Sequence, residues 1–353
     1  MKIYRILILC LCGVMLLGTL VGCSNQVLLP DGQIITAGQT TAPDTQANPS
    51  DTKPTQNGSL TLDIETIPDT TPSISIGGSD PEEMFKNSPH VMHAEFLNTG
   101  ESDCILIRMD DKVILVDTAD TDDTTKIKNK LQSYEISTID YLIITHYDND
   151  HIGAISALLN DFAVGQVYMP DYVRDSGLYR GMMSALQEKV VAENIHRISE
   201  DVNLDLGYGR LWLNTSKVYE AGLTLGNDQT STIVENDYSI IASVYFGDVS
   251  MLLTGDAEEA RLQEFNALFE EGAYPDYMLV KTPHHGSYFK NMKTCLDATR
   301  PRFCVVCTDT QDKVEAGLVT AMRGSGASIY YTFGGDVMFS TDGSATKYLM
   351  TQK

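Results

Sequence analysis

One stretch of nine residues, THYDNDHIG from Thr145 to Gly153, constrains this chain more than any other. It follows the apolar run YLIIT and sets His146, Asp148, Asp150 and His151 within six positions, just ahead of IGAISALL, which reads as the start of a helix. An HxDxDH run in the turn after a buried strand gathers several donor atoms around one small volume at the edge of a sheet. Imidazole nitrogen with carboxylate oxygen suits zinc, and also manganese or iron. One such loop cannot fill two metal sites, and two further strand ends offer more donors. MLLTGD closes on Asp256, and LVKTPHHGS leads into His284 and His285. A lone His or Asp after a strand is usually a cap or turn residue. Three such ends in one chain, one of them carrying four ligand types, converge on metal binding.

The surrounding pattern predicts a layered α/β domain. Short strands at VMHAEFLN, CILIRM and KVILVDT precede a helix near TTKIKNKLQSY and the strand DYLIIT. A helix at IGAISALLN, a strand at QVYMP, a helix at YRGMMSALQEKVVAE and extended pieces at IHRIS, VNLDLG and GRLWLN follow. The second half repeats this habit. YSIIASVYF and SMLLTGD read as a hairpin about Gly247–Asp248. AEEARLQEFNALFEE is an amphipathic helix, and YMLVKT, RFCVVCT, VEAGLVTAMRGS, SIYYT and DVMFST continue the alternation. Strand-rich blocks flanked by helices, in two similar halves, predict a four-layer αββα sandwich.

This domain occupies residues 89–353, about 260 residues, which suits one large domain or two fused halves. Residues 1–22 read as a secretory signal: MKIYR is basic, and ILILCLCGVMLLGTLV is too short for a convincing membrane span. The segment ends in LVGC, the pattern of a bacterial lipoprotein signal, with Cys23 as the lipidated new N-terminus. An N-terminal anchor helix is the plainer alternative. Either form places the domain on the extracytoplasmic face of the cell membrane, and the two or three acyl chains of a lipoprotein suffice for stable anchoring. Residues 23–88 contain TAGQTTAPDTQANPSDTKPTQNG, with almost nothing to bury, and read as a disordered tether.

Beyond the signal and Cys23 the cysteines are Cys104, Cys295, Cys304 and Cys307. CVVC has the spacing of a zinc or redox pair, but PRFCVVCTD reads as a buried strand. Residues three apart on a strand face opposite ways, which makes these core cysteines; the compartment also permits a disulfide, whose pairing the spacing leaves open.

The ordered blocks resemble the metallo-β-lactamase fold superfamily, and within it the extracellular hydrolase domain of ComEC-type competence DNA-uptake proteins. FLNTGESDCILI is similar to that family's glycine-rich opening, VILVDT to its first aspartate strand and THYDNDHIGA to its metal loop, with Asp148 where most of the superfamily has His. ENDYSIIASVYFGDVSMLLTGDAE and LVKTPHHGS are similar to its two later blocks. The resemblance implies two divalent ions, zinc or manganese. Asp150, His151 and His285 would hold one, His146 and Asp148 the other, and Asp256 would bridge them. His284 is the alternative to His285, which is favoured because it directly precedes Gly286. The superfamily usually supplies another His to the first site between the loop and the bridging Asp. Only His196 stands there, in what resembles a structural strand block, so the first site is oxygen-rich and weak, which shifts the balance toward manganese.

Such metals lower the pKa of bound water and stabilise charge on oxygen, and phosphodiester cleavage is a natural use of them. Asp150, Lys281 and His284 are the candidate catalytic groups. Lys281 and Ser287 flank the last block and are candidates for a phosphate contact, with a solvated strand-end charge as the plain alternative for Lys281. His90 and His93 read as structural. The leading function is a surface-tethered phosphodiesterase or nuclease, with nucleic acid as one candidate partner. A phosphorylcholine esterase or other cell-envelope hydrolase fits the same motifs. The formal charge of −23 favours a small or choline-bearing substrate over long DNA. β-Lactam hydrolysis generally goes with His at position 148, and a non-catalytic metal-binding lipoprotein is the reading from another class. Cys23→Ala should leave the protein unlipidated and shift it out of the membrane fraction. Palmitate label still entering the variant would overturn the lipoprotein assignment.

Overall fold

The computed structural model describes residues 80–217, 235–269 and 274–353, together with the backbone of a short hairpin that pairs Gln26–Leu28 with Ile34–Thr36. The signal, Cys23 and most of the tether lie outside the described residues. The chain divides into a unit of residues 1–70, to which the hairpin belongs, and a unit of residues 71–353, described below.

The alternation of side chains along the strands builds the layers. Ile105–Met109 (β2) and Lys112–Val116 (β3) turn Ile105, Ile107, Met109, Ile114 and Val116 toward one core, while Leu106 and Leu115 face another. In the second half, Met251, Leu253 and Leu279 share the first of these cores, while Leu252 and Val280 face a third. A strand apolar on both faces is one that is covered on both faces. The shared core therefore lies between two sheets, and the other two lie between each sheet and its helices, which is the expected αββα sandwich.

The first sheet has eight strands. From one edge they run Tyr348–Gln352 (β15), Val337–Thr341 (β14), Met92–Phe96 (β1), β2, β3, Thr138–Ile143 (β4), Ala163–Pro170 (β5) and Ile195–Ile198 (β6). The second has seven: Ser328–Tyr331 (β13), Phe303–Val306 (β12), Leu279–Lys281 (β11), Val249–Leu253 (β10), Ile241–Phe246 (β9), Gly209–Asn214 (β8) and Val202–Leu206 (β7). Each sheet is antiparallel on one side and parallel on the other. The change falls at β3, which pairs antiparallel with β2 and parallel with β4, and at β10, which pairs antiparallel with β9 and parallel with β11. The hairpin about Gly247–Asp248 forms as expected, with Gly247 at φ +57°. The two-half symmetry is not strict, because β14 and β15 return to the first sheet beside β1.

Helices Thr124–Ser133 and Gly177–Lys189 cover the first sheet through Ile127 and Leu131, and through Tyr179, Met182 and Leu186. Helices Glu259–Asn266, Lys290–Thr299 and Ala316–Ser325 cover the second. Three local features differ from expectation. IGAISALLN is not one helix but two single turns, Asn149–Ile152 and Ile155–Leu158. Between them the Gly153 nitrogen donates to the Ala119 carbonyl at 2.7 Å instead of along the helix, and the chain packs so closely there that a Cβ would lie 2.3 Å from the Thr121 nitrogen. The helix Lys290–Thr299 was not anticipated, since its buried stripe is only Met292, Cys295 and Leu296.

The third difference concerns the segment assigned to the tether. Its end contains a helical turn, Pro81–Phe85, started by the Asp80 side chain on the Glu82 nitrogen, and it buries Phe85 at 2 % exposure. The Phe85 ring sits edge-on to His93 at 6.4 Å between centroids. The folded unit thus takes in residues ahead of position 89, and Phe85→Ala should cost it about 3 kcal/mol. Denaturant melts of the two forms measure this, and coincident curves would show that the turn contributes nothing.

Candidate metal centre

Most groups of the expected centre sit where a parallel-paired strand ends, and Asp150 and His151 lie a little further on, in the turn Asn149–Ile152. Asp117 follows β3, Thr145 and His146 follow β4, Asp256 follows β10, and His284 and His285 follow β11. Open α/β sheets collect their functional groups at these carboxyl ends. The backbone is strained there: Asp117, His284 and His285 have φ of +58°, +44° and +50°, a region side-chain-bearing residues seldom adopt.

Four groups converge. His151 Nε2 lies 3.3 Å from Asp256 Oδ2 and 3.7 Å from Asp150 Oδ2, and His285 Nε2 lies 3.2 Å and 3.1 Å from the same two oxygens. One donor atom from each of the four falls within 4.8 Å of the others. The second ring nitrogens are already occupied. His151 Nδ1 meets Asp117 Oδ2 at 2.7 Å, His285 Nδ1 the Cys307 carbonyl at 3.1 Å, and His146 Nδ1 the Thr145 hydroxyl at 3.1 Å. Each imidazole is held by one nitrogen and offers the other, the arrangement that outer partners give to metal-binding histidines. His146 Nε2, His151 Nε2 and Asp256 Oδ1 are buried with no hydrogen-bond partner among the described residues. Buried polar atoms are seldom left so. Two imidazole nitrogens and two carboxylates, with His151 Nε2 left unpartnered among them, fit a divalent cation.

Burial alone would lower the pKa of His151 and His285, but the facing carboxylates outweigh it. His151 is raised well above the ordinary histidine range by Asp256 and Asp117, and His285 is pushed up to about 10, chiefly by Asp256 and Asp150. Burial would raise Asp256, yet the two imidazoles hold it well below the ordinary carboxylate range. Protons thus occupy the cation's place at neutral pH, and cation loading displaces them, so affinity should rise with pH toward about 10.

The expected residues divide as follows. Asp150, His151, Asp256 and His285 form the cluster. His146 is packed against it, its ring centroid 4.1 Å from that of His151, and its Nε2 is 3.4 Å from Asp148. Of the two adjacent histidines, His285 faces the cluster; His284 stands outside it, its ring 6.1 Å from that of His285 and its Nδ1 3.3 Å from Glu258. His196 lies on β6, bonded to Gln166 at 2.7 Å and stacked on Tyr168, which fits a structural role. His93 is buried against Ser340 and His90 is bonded to Asp110. Lys281 requires correction: it is 0 % exposed, bonded to Asp103 and the Gly255 carbonyl, and 3.6 Å from Asp256 Oδ1, so it has no face for a substrate phosphate. The four domain cysteines are free and buried, with Cys304 and Cys307 in different cores, as strand alternation requires.

Asp103, Arg174 and Glu235 were not anticipated. Arg174 bonds Asp148 and lies 2.9 Å from Glu235. Its only trace in the sequence is a basic residue in the loop after the strand ending at Pro170.

Asp256→Asn should abolish tight metal binding while the fold survives, and Asp117→Asn should weaken it about 10–100-fold. His196→Ala should leave it unchanged. Metal titrations followed by mass spectrometry, repeated at rising pH, test all three. Full metal content in Asp256→Asn, or metal lost in a folded His196→Ala, would overturn these assignments.

A curated relative, ComE operon protein 3 of Bacillus subtilis (strain 168), is 24 % identical over 172 residues, which are 48 % of this chain and 20 % of that protein. The chain thus spans about a fifth of the relative's length. Among solved structures, the metallo-β-lactamase fold protein YhfI from Bacillus subtilis covers 69 % of this chain and 96 % of its own at 12 % identity, with a TM-score of 0.46. CmlA, a diiron β-hydroxylase from Streptomyces venezuelae, covers 75 % of this chain and 55 % of its own at 13 % identity, with a TM-score of 0.44. The model of the metallo-beta-lactamase superfamily matches residues 97–307, a span that holds every donor described above, and the chain belongs to that superfamily.

Proposed function

We propose that this superfamily member is a metal-dependent phosphodiester hydrolase tethered by Cys23 to the outer face of the cytoplasmic membrane. One observation carries the catalytic reading: the four-residue cluster opens through Asp150 and His285 into a pocket of about 400 Å³ that His284, Ser287 and Lys313 also line. The tether rests on the LVGC pattern alone.

A divalent cation held by Asp150, His151, Asp256 and His285 supplies Lewis acidity and lowers the pKa of water. The chain's own groups do the rest. Asp150 has the most exposed carboxylate of the cluster, at 30 %, and can accept a proton from the attacking water. His284, 36 % exposed with its Nδ1 3.3 Å from Glu258, is placed to hand a proton to the departing oxygen. Ser287 offers a hydroxyl to a phosphoryl oxygen. Lys313, held by Glu101 at 2.6 Å and Asp309 at 2.9 Å, takes the charge-pairing role once expected of Lys281.

Glu101 and Asp120 also line the pocket. Carboxylates beside the cation repel a long polyanion and attract a cationic headgroup, which favours a small phosphodiester such as a phosphorylcholine ester over nucleic acid.

The mature chain, loaded with manganese or zinc, should turn over bis-p-nitrophenyl phosphate and p-nitrophenyl phosphorylcholine faster than it degrades single-stranded DNA, and should leave nitrocefin intact. His284→Ala should lower turnover about 100-fold or more without loss of metal. A metal-loaded protein inert toward all four compounds would mark a binding lipoprotein rather than an enzyme.

A further inference from the structure

The corner of the centre formed by His146 and Asp148 is built unlike the cluster beside it. Arg174 reaches into it from the loop between β5 and the helix Gly177–Lys189. Its Nη1 donates to the Tyr147 carbonyl at 2.8 Å, meets Glu235 Oε1 at 2.9 Å and bonds Asp148 Oδ1. Glu235 is fixed in turn by the Tyr172 hydroxyl at 2.7 Å, and the Tyr147 nitrogen donates to that same hydroxyl at 3.0 Å. The guanidinium is therefore seated through Nη1, on which the Tyr147 carbonyl, Asp148 and Glu235 converge.

Beside it, His146 is fully buried. Its Nδ1 faces Thr145, and its unpartnered Nε2 lies 3.4 Å from Asp148 Oδ2. Without the guanidinium, this corner would hold one free imidazole nitrogen and two carboxylates, donor types that suit a divalent cation, and the three would have to draw together to within the 4.8 Å spacing that the four-residue cluster already has. A dication and a guanidinium cannot share it without repulsion, because both need the same carboxylates. The bridging role expected of Asp256 is also compromised, since Oδ2 faces His151 and His285 while Oδ1 lies 3.6 Å from the Lys281 ammonium.

We propose that Arg174 is a built-in cation at the second metal position. The folded centre holds one divalent ion, at Asp150, His151, Asp256 and His285, while His146, Asp148 and Glu235 form a latent second site that the guanidinium keeps closed. This inference rests on the metal-centre reading above and deepens it. Arginine supplies fixed positive charge that neither exchanges with solution nor depends on metal supply, and it remains able to donate hydrogen bonds to a phosphoryl oxygen.

Metal stoichiometry tests it. The mature chain, stripped by a chelator and dialysed separately against manganese and zinc, should carry one ion per chain. Arg174→Ala and the size-conserving Arg174→Gln should carry two, and adding Glu235→Ala to either should return the count to one. Electron paramagnetic resonance of the manganese forms gives a second readout, an isolated ion in the wild type and a coupled pair in the arginine variants. Two ions in the wild type would overturn the role of Arg174 and leave the metal centre intact. One ion in the wild type and in both folded arginine variants would overturn the latent site. No ion in any form would overturn the metal centre itself. The wild-type count decides the first point even where a variant fails to fold.

Discussion

The carboxylate of Asp117 is the contact on which the centre depends. It is fully buried and accepts from the Thr145 nitrogen at 2.8 Å and the Thr145 hydroxyl at 2.7 Å, and it holds His151 Nδ1 at 2.7 Å. A buried charge without partners is costly, so the two strand ends around it are arranged to satisfy it. The backbone repeats the tie, with the Asp117 nitrogen on the Ile143 carbonyl and the Thr118 nitrogen on the His151 carbonyl. These contacts hold Asp117 at its positive φ and fix which nitrogen His151 turns outward. The loop THYDNDHIG has its shape because one aspartate at the end of the neighbouring strand β3 gathers it.

Charge balance sets what the centre attracts. Asp103, Asp117, Asp150 and Asp256 stand close together, and one internal cation, Lys281, lies among them on Asp103 and beside Asp256. Burial disfavours its charged form, yet Asp103 and Asp256 raise its pKa, so it stays protonated as a fixed counter-ion between residues from the two halves of the domain. One ammonium does not neutralise four carboxylates, and the remainder draws protons onto His151 and His285 or a metal ion between them. Arg174 performs the same service for Asp148 and Glu235. Cations of the chain itself thus offset carboxylates at two places beside the Asp150, His151, Asp256 and His285 set.

Much of the fold was legible because every ligand-bearing strand announces itself twice, by an apolar run and by its abrupt polar end. YLIIT before His146, MLLTG before Asp256 and LVKT before His284 are such runs, and all three end in the centre. Alternation also separated Cys304 from Cys307 correctly. Other features left a weaker trace. Lys281 reads as an accessible strand-end charge, for a phosphate or for solvent, because sequence does not show that Asp103, nearly 180 positions earlier, lies against it. Arg174 and Glu235 sit in polar loops where charge is ordinary, and only the fold brings them to Asp148. The turn Pro81–Phe85 was hidden in a tether of similar composition, since a single buried ring is too little signal to mark a boundary.

The topology explains why the donors are scattered through the sequence and yet meet in space. Antiparallel neighbours can be joined by tight turns, as β2–β3 and β9–β10 are, whereas parallel neighbours need longer crossover connections. β3 and β10 are where each sheet changes from antiparallel to parallel pairing, and from there onward the connections cross over through helices. The carboxyl ends of β3, β4, β10, β11 and β12 are thereby released from hairpins, and each delivers one or two groups to the same edge: Asp117, His146, Asp256, His285 and the Cys307 carbonyl. The two sheets share a core, so their released ends lie side by side. Neither half carries a complete donor set: the first gives Asp150 and His151, the second Asp256 and His285. A cation held among them therefore depends on the packing of the two sheets, and the apolar layer between them is as much a part of the centre as its ligands.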